Sequence, residues 1–211
     1  MNTVSCFQAP NYTKKNGRQC LGALAGLEND PRVVVASGSL SPGVPTDFYV
    51  RPARIAEERG VKFVLDTSGP PLAAALEEGV YLIKPNLREL RELTGVSRQD
   101  EHAWIDTCRR LTTTGRAEIV ALTLGDRGAL LVTRDHVWRA PALPIKPASA
   151  VGAGDSFLGA MVWGLAKGDR MEDTFRYGVA AGSAALLSRG TGLRRREDVE
   201  RLYPDVVLQL L

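Results

Sequence analysis

Cysteine, histidine and long apolar runs are scarce in this chain of 211 residues, and each scarcity removes a class of function. The three cysteines, Cys6, Cys20 and Cys108, are odd in number, far apart and without metal-ligand spacing. They read as reduced structural thiols, so neither a zinc site nor a disulfide framework is expected. His102 and His136 stand outside every motif and take ordinary surface or helix roles. No apolar stretch approaches the ~20 residues that cross a bilayer. The first residues lack the charged, apolar and small-residue order of a signal peptide, so a cytoplasmic protein with no membrane role is expected. An excess of one charge is lacking too: 27 Lys and Arg against 24 Asp and Glu leave a formal +3, scattered along the chain. That is too weak to argue for nucleic acid, although it is compatible with small anions. Aromatic residues make up 6 %, with Trp104, Trp138 and Trp163 dispersed as packing residues.

What is present is an ordinary globular balance, 44 % hydrophobic and 24 % charged, with length for one well-packed domain. Residues 1–20 read as a poorly ordered lead-in, because Asn11 to Arg18 is polar and turn-prone without a helical or strand period. From residue 21 to 211 the pattern predicts one α/β unit. A short helix over 21–29 precedes a β-branched strand over 32–37. Helix 46–59, strand 61–66, helix 71–78 and strand 80–83 follow, each pair the size of a βαβ repeat. Asn86 caps a helix carrying Leu87, Leu90 and Leu93; a helix over 101–113 and a strand over 118–123 come next. Strands over 129–133 and 137–140 form an antiparallel edge, and helices over 153–167, 171–187 and 197–202 complete the chain. Such alternation predicts a doubly wound, mostly parallel sheet with helices on both faces, in three layers.

In such a sheet ligands bind beyond the carboxyl ends of the strands. Four sequences there are unusual: Ser37-Gly-Ser-Leu-Ser-Pro-Gly43, Asp66-Thr-Ser-Gly69, Lys84-Pro-Asn-Leu-Arg-Glu89 and Thr123-Leu-Gly-Asp126. Each has a plain explanation alone, since Ser-Pro-Gly makes a turn and Asn86 with Glu89 makes a capping box. A fifth stretch, Val151-Gly-Ala-Gly-Asp-Ser-Phe157, opens a helix with two glycines before a carboxylate. Bare amides and the positive end of the helix dipole favour phosphate oxygens there. Asp155 is placed to accept a proton from a substrate hydroxyl. Together these features suggest phosphoryl transfer to an alcohol.

The set Gly38-Ser-Leu-Ser-Pro-Gly43, Lys84-Pro-Asn-Leu-Arg-Glu89, Thr123-Leu-Gly125 and Val151-Gly-Ala-Gly-Asp155 resembles the ribokinase-like, phosphofructokinase B family of sugar kinases in order and spacing. The stretch Tyr177 to Ala185 with Gly190-Thr191 is similar to that family's minor bacterial 6-phosphofructokinase branch. The resemblance implies Asp155 as catalytic base, with the amides of Gly152, Ala153 and Gly154 neutralising charge on the transferred group. It implies Lys84 on the nucleotide phosphates, Asn86 and Glu89 organising magnesium and its waters, Thr123 and Gly125 beside the nucleotide, and Ser39 beside the sugar phosphate. The segments around Ser149, Val151, Ala185 and Gly190 resemble a monovalent-cation site, which adds potassium to Mg-ATP among the implied ligands. Ser188 and Gly192 replace the asparagine and arginine usual there.

The implied reaction is ATP-dependent phosphorylation of a sugar phosphate, fructose 6-phosphate first, with 1-phosphofructokinase or tagatose-6-phosphate kinase activity as the neighbouring assignment. Family members are about half as long again. The part without a counterpart here is N-terminal: the first strands, the β-lid that covers the sugar and forms the dimer contact, and several sugar ligands. A non-catalytic nucleotide-binding remnant is therefore the alternative from another class, and an exposed, aggregation-prone sheet edge is expected.

Overall fold

The computed structural model of the protein describes residues 14–27, 31–96, 100–187 and 196–211. The chain divides into two compact units, Met1–Ile119 and Val120–Leu211.

The first unit is built on parallel strands β1 (Val33–Ser37), β2 (Lys62–Asp66) and β3 (Val80–Ile83), adjacent in that order. Phe63, Val64 and Leu65 of β2 and Leu82 and Ile83 of β3 are buried, as expected for strands covered on both faces. Among the described residues β1 is an edge strand of the sheet, and Val35 on it is 41 % exposed. Helices α2 (Val50–Glu58), α3 (Gly69–Leu76), α4 (Leu87–Thr94) and α5 (Glu101–Thr113) connect the strands. Helix α2 starts four residues later than the sequence predicts, because Thr46 to Tyr49 form turns.

Helix α1 (Lys14–Ala25) begins before the expected boundary at Leu21. Gly17 and Leu24 on it are buried, with Cys20 and Leu21 half-buried between them, which is one helical stripe. Its C-terminal end is held by Arg59, whose guanidinium donates to the carbonyls of Leu24, Ala25 and Leu27 at 3.3, 2.7 and 2.6 Å. That distant arginine satisfies carbonyls left free where the helix ends. No local reading of the polar segment shows it. The expectation of reduced thiols is corrected at Cys20, which is disulfide-bonded; Cys108 is free and buried.

Strand β4 (Ala117–Thr123) leads into the second unit, where β4, β5 (Ala129–Val132), β6 (Val137–Ala140) and β7 (Gln209–Leu210) are joined by antiparallel pairs. The antiparallel edge expected over 129–140 is present, and β7 extends it by a strand too short to show a period in sequence. Helices α6 (Ala153–Lys167) and α7 (Met171–Leu186) pack against each other; α8 (Arg196–Leu202) follows. Three glycines bring α6 and α7 close. A Cβ on Gly164 would meet Thr174 Oγ1 at 2.7 Å, one on Gly178 would meet Met161 Cγ at 2.8 Å, and one on Gly182 would meet the Ala153 carbonyl at 3.3 Å.

Candidate functional site

In the first unit the register gathers chemistry at one edge. Leu65 pairs with Ile83 and Ser37 with Asp66, so Gly38, Asp66 and Lys84 all emerge at the carboxyl ends of adjacent strands. Lys84 is 8 % exposed and its ammonium lies 3.3 Å from Asp66 Oδ1. A lysine so enclosed requires a counter-charge, and the neighbouring strand supplies it. Gly38 donates its amide to the Asp66 carbonyl at 2.9 Å, with φ 104°, a backbone conformation that favours glycine. The Tyr49 hydroxyl donates to the Gly38 carbonyl at 3.0 Å. Burial first, and then the negative charge of Asp66, raise the pKa of Tyr49 above its ordinary value. Thr67 Oγ1 is enclosed and lacks a hydrogen-bond partner. Ser39 lies exposed in the same loop.

Asn86 and Glu89 form the capping box of α4. Glu89 N–H donates to Asn86 Oδ1 at 2.9 Å and Asn86 N–H donates to Glu89 Oε2 at 3.0 Å. The plain and the chemical readings of this pair therefore coexist: reciprocal bonding fixes the carboxylate in one orientation and leaves Glu89 Oε1 outside the cap. Among the described residues no cluster of three or more His, Cys, Asp or Glu could hold a metal ion. A divalent ion carried on nucleotide phosphates needs only one or two protein carboxylates, since magnesium keeps several waters. The Asn86 and Glu89 pair fits such an ion.

In the second unit Thr123 ends β4 half-buried, and exposed Gly125, with φ 66°, opens a 3₁₀ turn to Arg127. Leu124 N–H donates to the Gly128 carbonyl at 2.8 Å, closing that turn. At the start of α6, Gly152 occupies the left-handed region at φ 75°, ψ 5° and no side chain caps the helix. The first-turn amides of an α-helix have no intrahelical acceptors. Here Ala153 N–H has only a long contact, 3.4 Å, to the Ala150 carbonyl. The amides of Gly154 and Asp155 complete that turn, and the Asp155 side chain is exposed beside them. The result is a 15-residue helix whose positive end is uncapped and carries one carboxylate.

The expected cation segment is partly described. Ala148 and Ser149 donate their amides to the Leu186 carbonyl at 2.6 and 3.3 Å, and Val151 N–H donates to Ser149 Oγ at 3.2 Å. Ser149 and Val151 are thus tied to the end of α7, where Ala185 is fully buried. Gly190, Ser188 and Gly192 lie outside the described residues. One contributor escaped the sequence reading. Asp66 opens one of the four strand-end stretches singled out from sequence, without a role assigned to it, whereas Tyr49, in the turns before α2, gave no signal at all.

Known proteins of one family resemble this chain in sequence and fold. Residues 9–197 match the model of the pfkB family carbohydrate kinases. The chain is 41 % identical over 194 residues to the ATP-dependent 6-phosphofructokinase isozyme 2 of Mycobacterium tuberculosis, covering 92 % of this chain and 57 % of that protein. It is 32 % identical over 199 residues to the 1-phosphofructokinase of Bacillus subtilis, covering 94 % of this chain and 64 % of the relative. Among solved structures, phosphofructokinase-2 from Escherichia coli in complex with potassium superposes with a TM-score of 0.86 at 35 % identity, over 91 % of this chain and 62 % of that one. The chain thus spans less than two thirds of the length of each of these relatives. An Arabidopsis thaliana ribokinase shares the fold, with a TM-score of 0.72. With a family match across most of its length and a ribokinase-like α/β fold, this chain belongs to the pfkB family of carbohydrate kinases.

Proposed function

We propose that this chain carries phosphoryl-transfer machinery for an ATP-dependent sugar-phosphate kinase, with fructose 6-phosphate as acceptor and fructose 1,6-bisphosphate as product. The observation that carries this reading is the start of α6, where an uncapped helix end and an exposed carboxylate occur together. The 6-phosphofructokinase relatives support the choice of acceptor.

In this reading Asp155 takes the proton of the sugar's C1 hydroxyl as that oxygen bonds to the γ-phosphorus and ADP departs. The amides of Gly152, Ala153 and Gly154 offset the charge developing on the transferred group, a role preorganised dipoles fill without rearrangement. Lys84 meets the nucleotide phosphates as a point charge. Asn86 and Glu89 hold waters of the magnesium, which when bound neutralises phosphate charge. Thr123 and Gly125 border the nucleotide and Ser39 the sugar phosphate. Potassium is proposed near Ser149, Val151, Ala185 and Gly190, a reading favoured by the potassium-bound Escherichia coli structure. The 1-phosphofructokinase relatives favour a second acceptor, fructose 1-phosphate, for the same machinery.

The test is ADP release from Mg-ATP with and without each sugar phosphate. Asp155→Asn is expected to lower sugar-dependent release by about 10²–10⁴-fold, the contribution of a positioned base. Release that depends on sugar but is unchanged in Asp155→Asn contradicts the assignment.

A further inference from the structure

We infer that Asp66 is a positioning residue that acts through Lys84: it holds the lysine's ammonium where nucleotide phosphate is met. The inference rests on the role of Lys84 proposed above, and no matched motif of the sequence assigns Asp66. Three observations carry it. The two side chains belong to neighbouring parallel strands, each one residue beyond the paired Leu65 and Ile83, so the sheet register itself sets their proximity. Their 3.3 Å separation occurs with side-chain exposures of 9 % for Lys84 and 16 % for Asp66, which places the pair under the surface. Asp66 also anchors the neighbouring loop, because its carbonyl accepts from Gly38 N–H while Gly38's own carbonyl is pinned by Tyr49.

The chemistry follows from the donor count. An ammonium has three N–H donors and rotates on a flexible four-carbon stem, so an unheld lysine meets a phosphate from many poses. Direction of one donor to Asp66 fixes the stem and leaves two for phosphate oxygens. The carboxylate also compensates the enclosed charge before ligand arrives, so the site does not need to rearrange when nucleotide binds. Asp66 thus restrains Lys84 without touching the nucleotide. Its neighbour Thr67 presents an enclosed, unpaired hydroxyl at the same strand end.

The test is a double-mutant cycle on the full chain, reading Mg-ATP affinity by calorimetry in the wild type, Asp66→Asn, Lys84→Met and the double variant. Asp66→Asn is expected to weaken binding by on the order of tenfold, within the range for residues in contact. In the Lys84→Met background the same substitution is expected to change nothing, and Asp66→Glu is expected to recover part of the loss. An equal loss in both backgrounds overturns the inference, since Asp66 would then act on the ligand by another route; so does no loss in either. If Asp66→Asn alone fails to fold, the double variant, which removes both charges together, still decides. Affinity equal to that of Lys84→Met supports the inference and a further loss overturns it. A wild-type chain that binds no Mg-ATP overturns the proposed function as well, whereas binding with additive losses overturns this inference alone.

Discussion

Single residues show how far chemistry type and position can be separated in this chain. Burial pushes the Cys108 thiol up to about 12, so its reactive thiolate is suppressed at neutral pH. Cys108 is expected to resist alkylation in the folded protein and to react in denaturant, which peptide mass spectrometry reads directly; rapid labelling of the folded chain contradicts the burial. Tyr49→Phe removes the donor to the Gly38 carbonyl and is expected to cost about 1 kcal/mol near neutral pH, measured by urea unfolding. Because the Tyr49 pKa is raised above 10.0, the hydroxyl's contribution is full below that value and is lost as pH rises through the raised one. The stability gap between wild type and Tyr49→Phe should therefore narrow in the alkaline range and hold below it. Residues inside contiguous motifs, Asn86, Glu89 and Asp155, were legible as candidates because spacing and chemistry coincide. Tyr49 was not, since its bond spans 11 residues and nothing local marks it.

At the scale of elements, the sequence was most readable where a hydrophobic period is long. Helices α5, α6 and α7 fall where their apolar stripes and caps predict them, α6 ending at Gly168 in the left-handed region. Helix α1 was misjudged because tertiary contacts, Arg59 on its last carbonyls among them, complete a segment whose local composition is polar. The α6–α7 pair offers a sharp test of packing. Gly178→Ala places a methyl 2.8 Å from Met161 Cγ and is expected to destabilise by about 1–3 kcal/mol, the range for overpacking. The same substitution at Gly159, where nothing lies within 4 Å of the added Cβ, should be neutral or mildly stabilising, as alanine favours helix. Thermal melts of the two variants separate these outcomes; equal effects would contradict the close approach of the helices.

For the whole molecule, the division of candidate roles follows the chain: Ser39, Lys84, Asn86 and Glu89 fall in the first unit, and Thr123, Gly125, Gly152 and Asp155 in the second. The alternation of strand and helix made the α/β class legible, and motif order made the family legible. The pairing order of strands was less so, because β7 has two residues and no period. The sheet also has a consequence for solution behaviour. β1 is an edge of apolar Val33, Val34 and Val35, and Val35→Lys is expected to raise the concentration at which light scattering appears while leaving the unfolding midpoint nearly unchanged. The measurement that bears most directly on the central claim is phosphorus NMR of the chain incubated with Mg-ATP and fructose 6-phosphate. Appearance of the C1 phosphate ester together with ADP, in equal amounts and absent in Asp155→Asn, is the expected result. ADP accompanied only by inorganic phosphate, or no turnover of ATP, would contradict phosphoryl transfer to the sugar by this chain.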